Sequence, residues 1–109
     1  MIVTIFLIIQ NTGLIAFDSC RGVNRYPLPF DFFICAFNLL IEFDGPQHFE
    51  IMKHFKMTQQ SLDYVQKHDS IKTQWAKDSG YHFLRIHYKD FNNIEQILHD
   101  KLQELKKIE

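Results

Sequence analysis

The chain has 109 residues, of which 46% are hydrophobic and 23% are charged, and its formal net charge at pH 7 is −1. This length suits one domain with a single core and excludes two independent cores. The near-neutral charge excludes a general attraction to nucleic acid, so any DNA binding must depend on a local basic surface.

The N-terminal segment, residues 1–17, begins with an apolar run that ends before Gln10. It has no preceding basic segment, and polar residues interrupt it before it reaches the length of a membrane span. We expect a core-packing helix or strand there and no membrane association, with a signal peptide or anchor as the alternative. Residues 14–18 are the first candidate strand, and residues 18–109 are expected to form the single domain.

A hairpin of two strands is predicted next. Residues 30–34 and 39–44 are rich in aromatic and branched side chains, and the short stretch between them suits a hairpin connection. Because side chains alternate along a strand, Glu42 and Asp44 share one face. Antiparallel pairing then brings Asp31 across from them.

The second half of the chain contains a helix, a strand and a closing helix. Thr58 is a suitable N-cap for a helix that runs to Ser79, where Gly80 can supply the left-handed residue that ends it. Residues 81–88 have strand character, and residues 92–107 have apolar side chains at helical spacing. These elements predict an α/β fold in which a mixed sheet, made of a β-hairpin and a parallel strand, is flanked by helices.

Three carboxylates within strongly apolar strand sequence indicate a cation site. Asp31, Glu42 and Asp44 would repel one another at the end of a sheet unless a cation lay between them. Hard oxygen ligands suit Mg²⁺ or Mn²⁺. A small structural domain in which this acidic set only binds a cation is one interpretation.

An ordered set of motifs points to a more specific chemistry, and it covers about residues 18–102. The motifs are Pro29-Phe30-Asp31-Phe32, Ile41-Glu42-Phe43-Asp44-Gly45-Pro46-Gln47-His48, Asp69-Ser70-Ile71-Lys72 and Leu84-Arg85-Ile86. Together they resemble the core of PD-(D/E)XK nucleases, and in particular the small endonuclease-like branch related to very short patch repair endonucleases of bacteria, phages and large DNA viruses. The resemblance implies a restriction-endonuclease-like fold and Mg²⁺-dependent hydrolysis of DNA.

The resemblance assigns roles to the acidic residues and shows three departures. It implies that Asp31 and Glu42 are catalytic metal ligands, and Asp44, which shares the strand face of Glu42, is the third expected ligand in the catalytic site. Phe30 stands in the position of the family's proline, and Asp44 stands in the position of its lysine, where a carboxylate cannot act as a cationic phosphate ligand. Family members usually carry an acidic residue before the first strand, and residues 1–17 have none, so we expect that segment to be truncated or rearranged.

Three further residues are candidates for catalysis. Gln47 is expected to orient the attacking water and His48 to act as general base or leaving-group acid, because imidazole titrates near neutrality. A loop histidine hydrogen-bonded to backbone is the alternative for His48. Lys72 shares a helix stripe with Asp69 and can reach a phosphate or support the site, although a surface ion pair is the alternative.

The remaining expectations concern surfaces and core. The candidate basic surface consists of Lys53, His54, Lys56, Lys67, Lys72 and Lys77. The alternative is that each of these is an ordinary solvated charge on an exposed face. The residues expected in the core are Tyr64, Ile71 and Trp75. Cys20 and Cys35 are too few for a zinc cluster, and we expect reduced, partly buried thiols of an intracellular protein.

The sequence therefore predicts a metal-dependent DNA endonuclease. The alternative function is a catalytically weak or inactive nuclease-like module that binds nucleic acid. Homodimerisation is left open, since many nucleases use two subunits to cut two strands.

Overall fold

A computed structural model describes residues 12–108, which form four strands and two α-helices joined by short 3₁₀ turns. In chain order these are β1 (Thr12–Arg21), β2 (Pro27–Ile34), β3 (Leu39–Asp44), α1 (Gln59–Asp78), β4 (His82–His87) and α2 (Ile94–Ile108). The apolar run expected to pack as a helix or strand ends before Gln10 and so lies outside the described residues.

The strands form one mixed sheet in the order β1-β2-β3-β4. β1 pairs antiparallel with β2, β2 pairs antiparallel with β3, and β3 pairs parallel with β4 after the crossover through α1. The predicted α/β class, hairpin and parallel strand are confirmed. The strand expected at residues 14–18 is longer than predicted, and it crosses the boundary drawn between residues 17 and 18.

Two apolar clusters cover the two faces of the sheet. The cluster on the α1 side contains Cys20, Leu28, Phe30, Leu40 and Ala76. The cluster on the α2 side contains Ile34, Leu39, Ile41, Ile86, Leu98, Leu102 and Leu105. Each helix therefore buries its apolar stripe against one face, which is the layer arrangement expected of an α/β domain.

Local signals at the ends of the elements explain where they begin and end. The Thr58 side chain accepts a hydrogen bond from the Ser61 N–H at 3.2 Å, which confirms the predicted N-cap of α1. Gly80 has φ +83°, the left-handed conformation expected after the helix. Asn38 closes the β2–β3 connection in the left-handed region, and its amide donates to the Gly80 carbonyl at 3.0 Å. The hairpin is thereby tied to the end of α1.

Alternation on β3 and a change of phase on β2 set the position of the acidic side chains. Leu40 lies in the α1-side cluster and Ile41 in the α2-side cluster, so Glu42 and Asp44 face α1. On β2, Phe30 packs on the α1 side but Phe32 packs on the α2 side. Asp31 lies between them, at the point where the alternation of β2 changes phase.

Some expectations about burial were wrong. Ile71 and Trp75 pack against the α1-side cluster as predicted, but Tyr64 is exposed because it lies on the outer face of α1. Cys20 is fully buried whereas Cys35 is exposed in the hairpin connection, and both are free thiols. Within residues 12–108, neither helix has the length and apolar character needed to cross a bilayer.

Candidate functional site

A charged layer lies between β3 and α1. It consists of Glu42, Asp44, His48, Asp69, Lys72 and Arg85. Glu42 and Asp44 are only 3% and 5% exposed. Because charged groups are buried only when they are paired, the layer must be neutralised from within the protein.

Glu42 is neutralised by Lys72, which projects from α1. The Lys72 Nζ lies 3.1 Å from Glu42 Oε1 and 5.4 Å from the centre of the Phe30 ring. Burial raises the pKa of the Glu42 carboxyl; the charge of Lys72 opposes this shift, and the charge of Asp31 adds to it. Lys72 is therefore the counter-charge that favours the ionised form of the buried Glu42.

Asp31 lies beside Glu42, across the end of the β2–β3 pairing. The Asp31 N–H donates to Glu42 Oε1 at 3.1 Å, and the Phe43 N–H donates to Asp31 Oδ2 at 2.8 Å. The two carboxylates thus accept the strand N–H groups just beyond the Phe32–Ile41 pair, where the pairing of β2 with β3 ends. Each carboxylate uses one oxygen in this way, which leaves the second oxygen outside these bonds.

Arg85 of β4 holds Asp44 in a bidentate ion pair. Its Nη1 lies 2.9 and 3.0 Å from the two oxygens of Asp44, although its register partner in the sheet is Glu42. The same guanidinium donates to the Asp69 carbonyl at 2.8 Å and to Thr73 Oγ1 at 3.1 Å. One side chain therefore joins β3, β4 and α1.

His48 completes the layer from the turn that follows β3. Its Nδ1 lies 2.7 Å from Asp69 Oδ2 and 3.7 Å from Asp44 Oδ1, while Gln66 donates to the His48 carbonyl at 3.2 Å. The hydrogen bond to Asp69 raises the pKa of His48; burial opposes the shift, and the carboxylate charges reinforce it. The His48 imidazole therefore contacts a carboxylate. The alternative was a histidine whose ring is hydrogen-bonded to the backbone.

The metal-competent group that converges differs from the predicted one. In the described part of the chain, the ligand atoms of Asp44, His48 and Asp69 all lie within 4.8 Å of one another. Asp31 and Glu42 are adjacent, but Asp44 belongs to the neighbouring cluster, where Arg85 holds its carboxylate. The assignment of Asp31, Glu42 and Asp44 as the metal ligands stays a prediction.

The other predicted site residues lie at the surface or inside the layer. Gln47 is exposed, and its amide oxygen folds back so closely that a Cβ on Gly45 would meet it at 2.5 Å. Lys72 is part of the charged layer, with 12% of its side chain exposed, so it is not part of the basic surface. The other members of the predicted basic surface are exposed: Lys53, His54, Lys56, Lys67 and Lys77.

Asp69 and Arg85 were not assigned to the site from the sequence. Asp69 was placed on the same stripe of α1 as Lys72, and Arg85 was placed on the strand face opposite Leu84 and Ile86. Both positions were right. The missed signal was that a charge on a buried strand face needs a partner, and parallel pairing of β3 with β4 puts Arg85 on the same face as Asp44.

Comparisons of this chain with models of known protein families, with curated proteins and with solved structures find no match. The function must therefore follow from the chemistry of the charged layer.

Replacing Lys72 with Met should destabilise the protein by about 3–5 kcal/mol near neutral pH, because Glu42 would be left as an unpaired buried charge. Because the pKa of Glu42 is raised in the folded protein, the free energy lost by ionising it in the folded state grows as pH rises through that pKa. Chemical denaturation should therefore show a larger loss at about pH 8 than at about pH 5. Lys67→Met, an exposed change on the same helix, should stay within about 0.5 kcal/mol. Equal losses at both pH values would contradict the pairing.

Replacing Asp69 with Asn should lower the pKa of His48, because the carboxylate that favours the imidazolium is removed. A raised folded pKa gives stability that is fully present below the unfolded histidine value and is lost as pH rises through the folded value. The variant should therefore lose more stability at about pH 5.5 than at about pH 8.5. NMR titration of the imidazole in metal-free buffer measures the shift, with Asp63→Asn as the exposed control. An unchanged His48 titration would remove Asp69 as its partner.

Proposed function

We propose that this protein is a metal-dependent endonuclease that hydrolyses phosphodiester bonds in DNA. The observation that carries the proposal is the group formed by Asp31, Glu42 and Lys72. The Asp31 N–H donates to the Glu42 carboxylate at the end of a strand pair, and Lys72 Nζ lies 3.1 Å from that carboxylate. Two acidic residues and a lysine give the charges that phosphoryl chemistry requires. The motif resemblance described above supports the same reaction.

The donor set suits a hard divalent cation. Asp31 and Glu42 offer carboxylate oxygens, each carboxylate has one oxygen outside its backbone hydrogen bond, and oxygen ligands are those preferred by Mg²⁺ and Mn²⁺. Such an ion, when bound, supplies an activated water and polarises the phosphate. Asp44 is the third predicted ligand, and it can join only if Arg85 yields part of its bidentate contact.

Lys72 can supply the cationic group that the family's motif has at the position of Asp44. The motif's lysine would project from β3, where this chain has Asp44, but α1 brings Lys72 to the carboxylate on the same strand face. A cation at Glu42 would replace Lys72 as the counter-charge of that carboxylate. The released ammonium could then contact a phosphate oxygen, as a flexible point charge suits that role.

His48 is the candidate for proton transfer. Asp69 bonds Nδ1 at 2.7 Å, so Nε2 is the nitrogen that can exchange a proton with water or with the leaving oxygen. Arg85 and Gln66 fix the backbone of the two residues through the Asp69 and His48 carbonyls. The imidazole is therefore held in one orientation, which general acid–base catalysis requires.

A local basic surface supplies the attraction to DNA that the net charge does not. The exposed side chains lie in the turn after His48 and on the outer face of α1: Lys53, His54, Lys56, Lys67 and Lys77. Contacts of this kind with phosphates should make binding strongly dependent on salt.

One observation favours the alternative, a weak or inactive module that binds nucleic acid. Lys72 already neutralises Glu42, and Arg85 already neutralises Asp44, so the charged layer is balanced by the protein's own cations. Salt-sensitive DNA binding without cleavage in any divalent metal would establish this alternative and reject the enzyme.

The central test is nicking of supercoiled plasmid DNA by the wild type and by Glu42→Gln, in Mg²⁺, Mn²⁺ and EDTA. We expect cleavage by the wild type with either metal and none with EDTA. The variant should lose the activity by at least about two orders of magnitude, because a neutral amide is a poor ligand for a hard cation.

The matched control is Glu104→Gln, which makes the same change on α2 at a side chain that is 61% exposed. It should cut at the wild-type rate. Far-UV circular dichroism and thermal melts must show that Glu42→Gln is folded. Metal-dependent cleavage by folded Glu42→Gln at the wild-type rate would reject Glu42 as a site residue.

A further inference from the structure

Two cavities lie on either side of Asp44, at the end of the sheet where β3 and β4 finish. The polar cleft, about 350 Å³, is lined by Asp44, His48, Asp69, Thr73 and Arg85, among others. The aromatic cleft, about 290 Å³, is lined by Phe43, Asp44, Gln47, His87, Tyr88 and Phe91, among others. The polar cleft belongs to the proposed catalytic site, but the aromatic cleft has no role in the reaction described above.

A fixed stack of rings stands beside the aromatic cleft. The Phe49 and His87 rings are stacked with centroids 4.0 Å apart, and His87 and Tyr88 are stacked at 4.6 Å. The Tyr88 hydroxyl donates to Glu50 at 3.2 Å, and the Lys89 N–H donates to His87 Nδ1 at 3.1 Å. These bonds hold the stacked rings of His87 and Tyr88 in place beside the cleft.

Phe91 is the side chain of the cleft that remains most open. It lines the cavity, and 64% of it is exposed. It lies three residues after Tyr88 in the chain, next to the fixed rings. A large apolar ring beside an open cavity presents a face on which a planar group can stack. The exposed amide of Gln47, which also lines the cavity, adds a hydrogen-bonding edge, so the cleft combines aromatic rings with a polar group.

We propose that the aromatic cleft binds an unpaired nucleobase of single-stranded DNA. This inference rests on the proposed function and names its substrate class. A base has an apolar face for stacking and a polar edge for the Gln47 amide. A base within a duplex is stacked on both faces and cannot enter, so the cleft selects unpaired nucleotides.

The polar groups beside the aromatic cleft support this occupant over a purely apolar ligand. The exposed amide of Gln47 lines the cavity, and the ammonium of Lys89, which is also exposed, lies 6.0 Å from the centre of the Tyr88 ring. A base can hydrogen-bond to the amide and its phosphate would be attracted by the ammonium, whereas an apolar ligand would use neither group.

The test measures binding, without cleavage, by fluorescence anisotropy in EDTA. The probes are a short labelled oligothymidylate, an abasic deoxyribose-phosphate chain of the same length, and a duplex of that length. We expect the oligothymidylate to bind more tightly than either of the others, by about five- to hundredfold, the range given by stacking of one base. Equal binding of the oligothymidylate and the abasic chain would overturn the proposal.

Variants locate the effect. Phe91→Ala should weaken binding of the oligothymidylate by at least about fivefold and leave binding of the abasic chain unchanged. Phe91→Tyr retains the ring and should bind as the wild type does. Tyr64→Ala removes an exposed aromatic ring of α1 that lines neither cleft, and it should have no effect. An identical affinity for Phe91→Ala and Tyr64→Ala would also overturn the proposal.

This result is independent of the plasmid assay. Base-dependent binding without cleavage would support the aromatic cleft as a base-binding site and reject the endonuclease function. Metal-dependent cleavage with no preference for an unpaired base would support the endonuclease function and reject the base-binding site.

Discussion

The structure depends on the burial of two carboxylates of β3 beneath α1. Glu42 and Asp44 are almost inaccessible to solvent, and burying an ionised carboxylate is unfavourable unless a cation and hydrogen bonds compensate. Lys72 compensates Glu42, and Arg85 compensates Asp44. The position of α1 on the sheet is therefore fixed by charge as well as by the apolar cluster around Phe30 and Leu40.

That constraint extends to the residues proposed for the chemistry. Arg85 reaches across Asp44 to the backbone of Asp69, and Asp69 in turn holds His48. The turn after β3 is thereby attached to α1 by side chains rather than by strand pairing. Buried ion pairs are weak evidence for stability, because well-packed apolar residues of similar size often serve as well or better. The stability of the fold alone therefore does not account for this layer, whereas the proposed binding or catalysis would use it.

The fold followed from local signals in the sequence, but the pairing within the site did not. Alternation on β3 placed Glu42 and Asp44 on one face, and the Thr58 cap and Gly80 marked the ends of α1; the structure confirms each of these. Such signals depend on a few neighbouring residues. The bidentate pairing of Arg85 with Asp44, across elements far apart in the chain, depends on the register of β3 with β4, which no local pattern specifies.

The phase change on β2 explains another difference. Strict alternation predicts only that Asp31 lies across from the acidic pair. The structure places it where β2 changes phase, with its carboxylate on the Phe43 N–H and its own N–H on Glu42. Asp31 thus lies beside Glu42, whereas Asp44 is drawn into the cluster of His48 and Asp69. The three carboxylates thus have different partners in the structure: Lys72 for Glu42, the Phe43 N–H for Asp31, and Arg85 for Asp44.

The position of a bound divalent cation tests the account most directly. Anomalous scattering from Mn²⁺ in crystals of the protein would locate the ion without reference to activity. The account predicts a peak between the carboxylates of Asp31 and Glu42, with the Lys72 ammonium displaced from Glu42. A peak only among Asp44, His48 and Asp69, or no peak at either group with Lys72 still on Glu42, would contradict it.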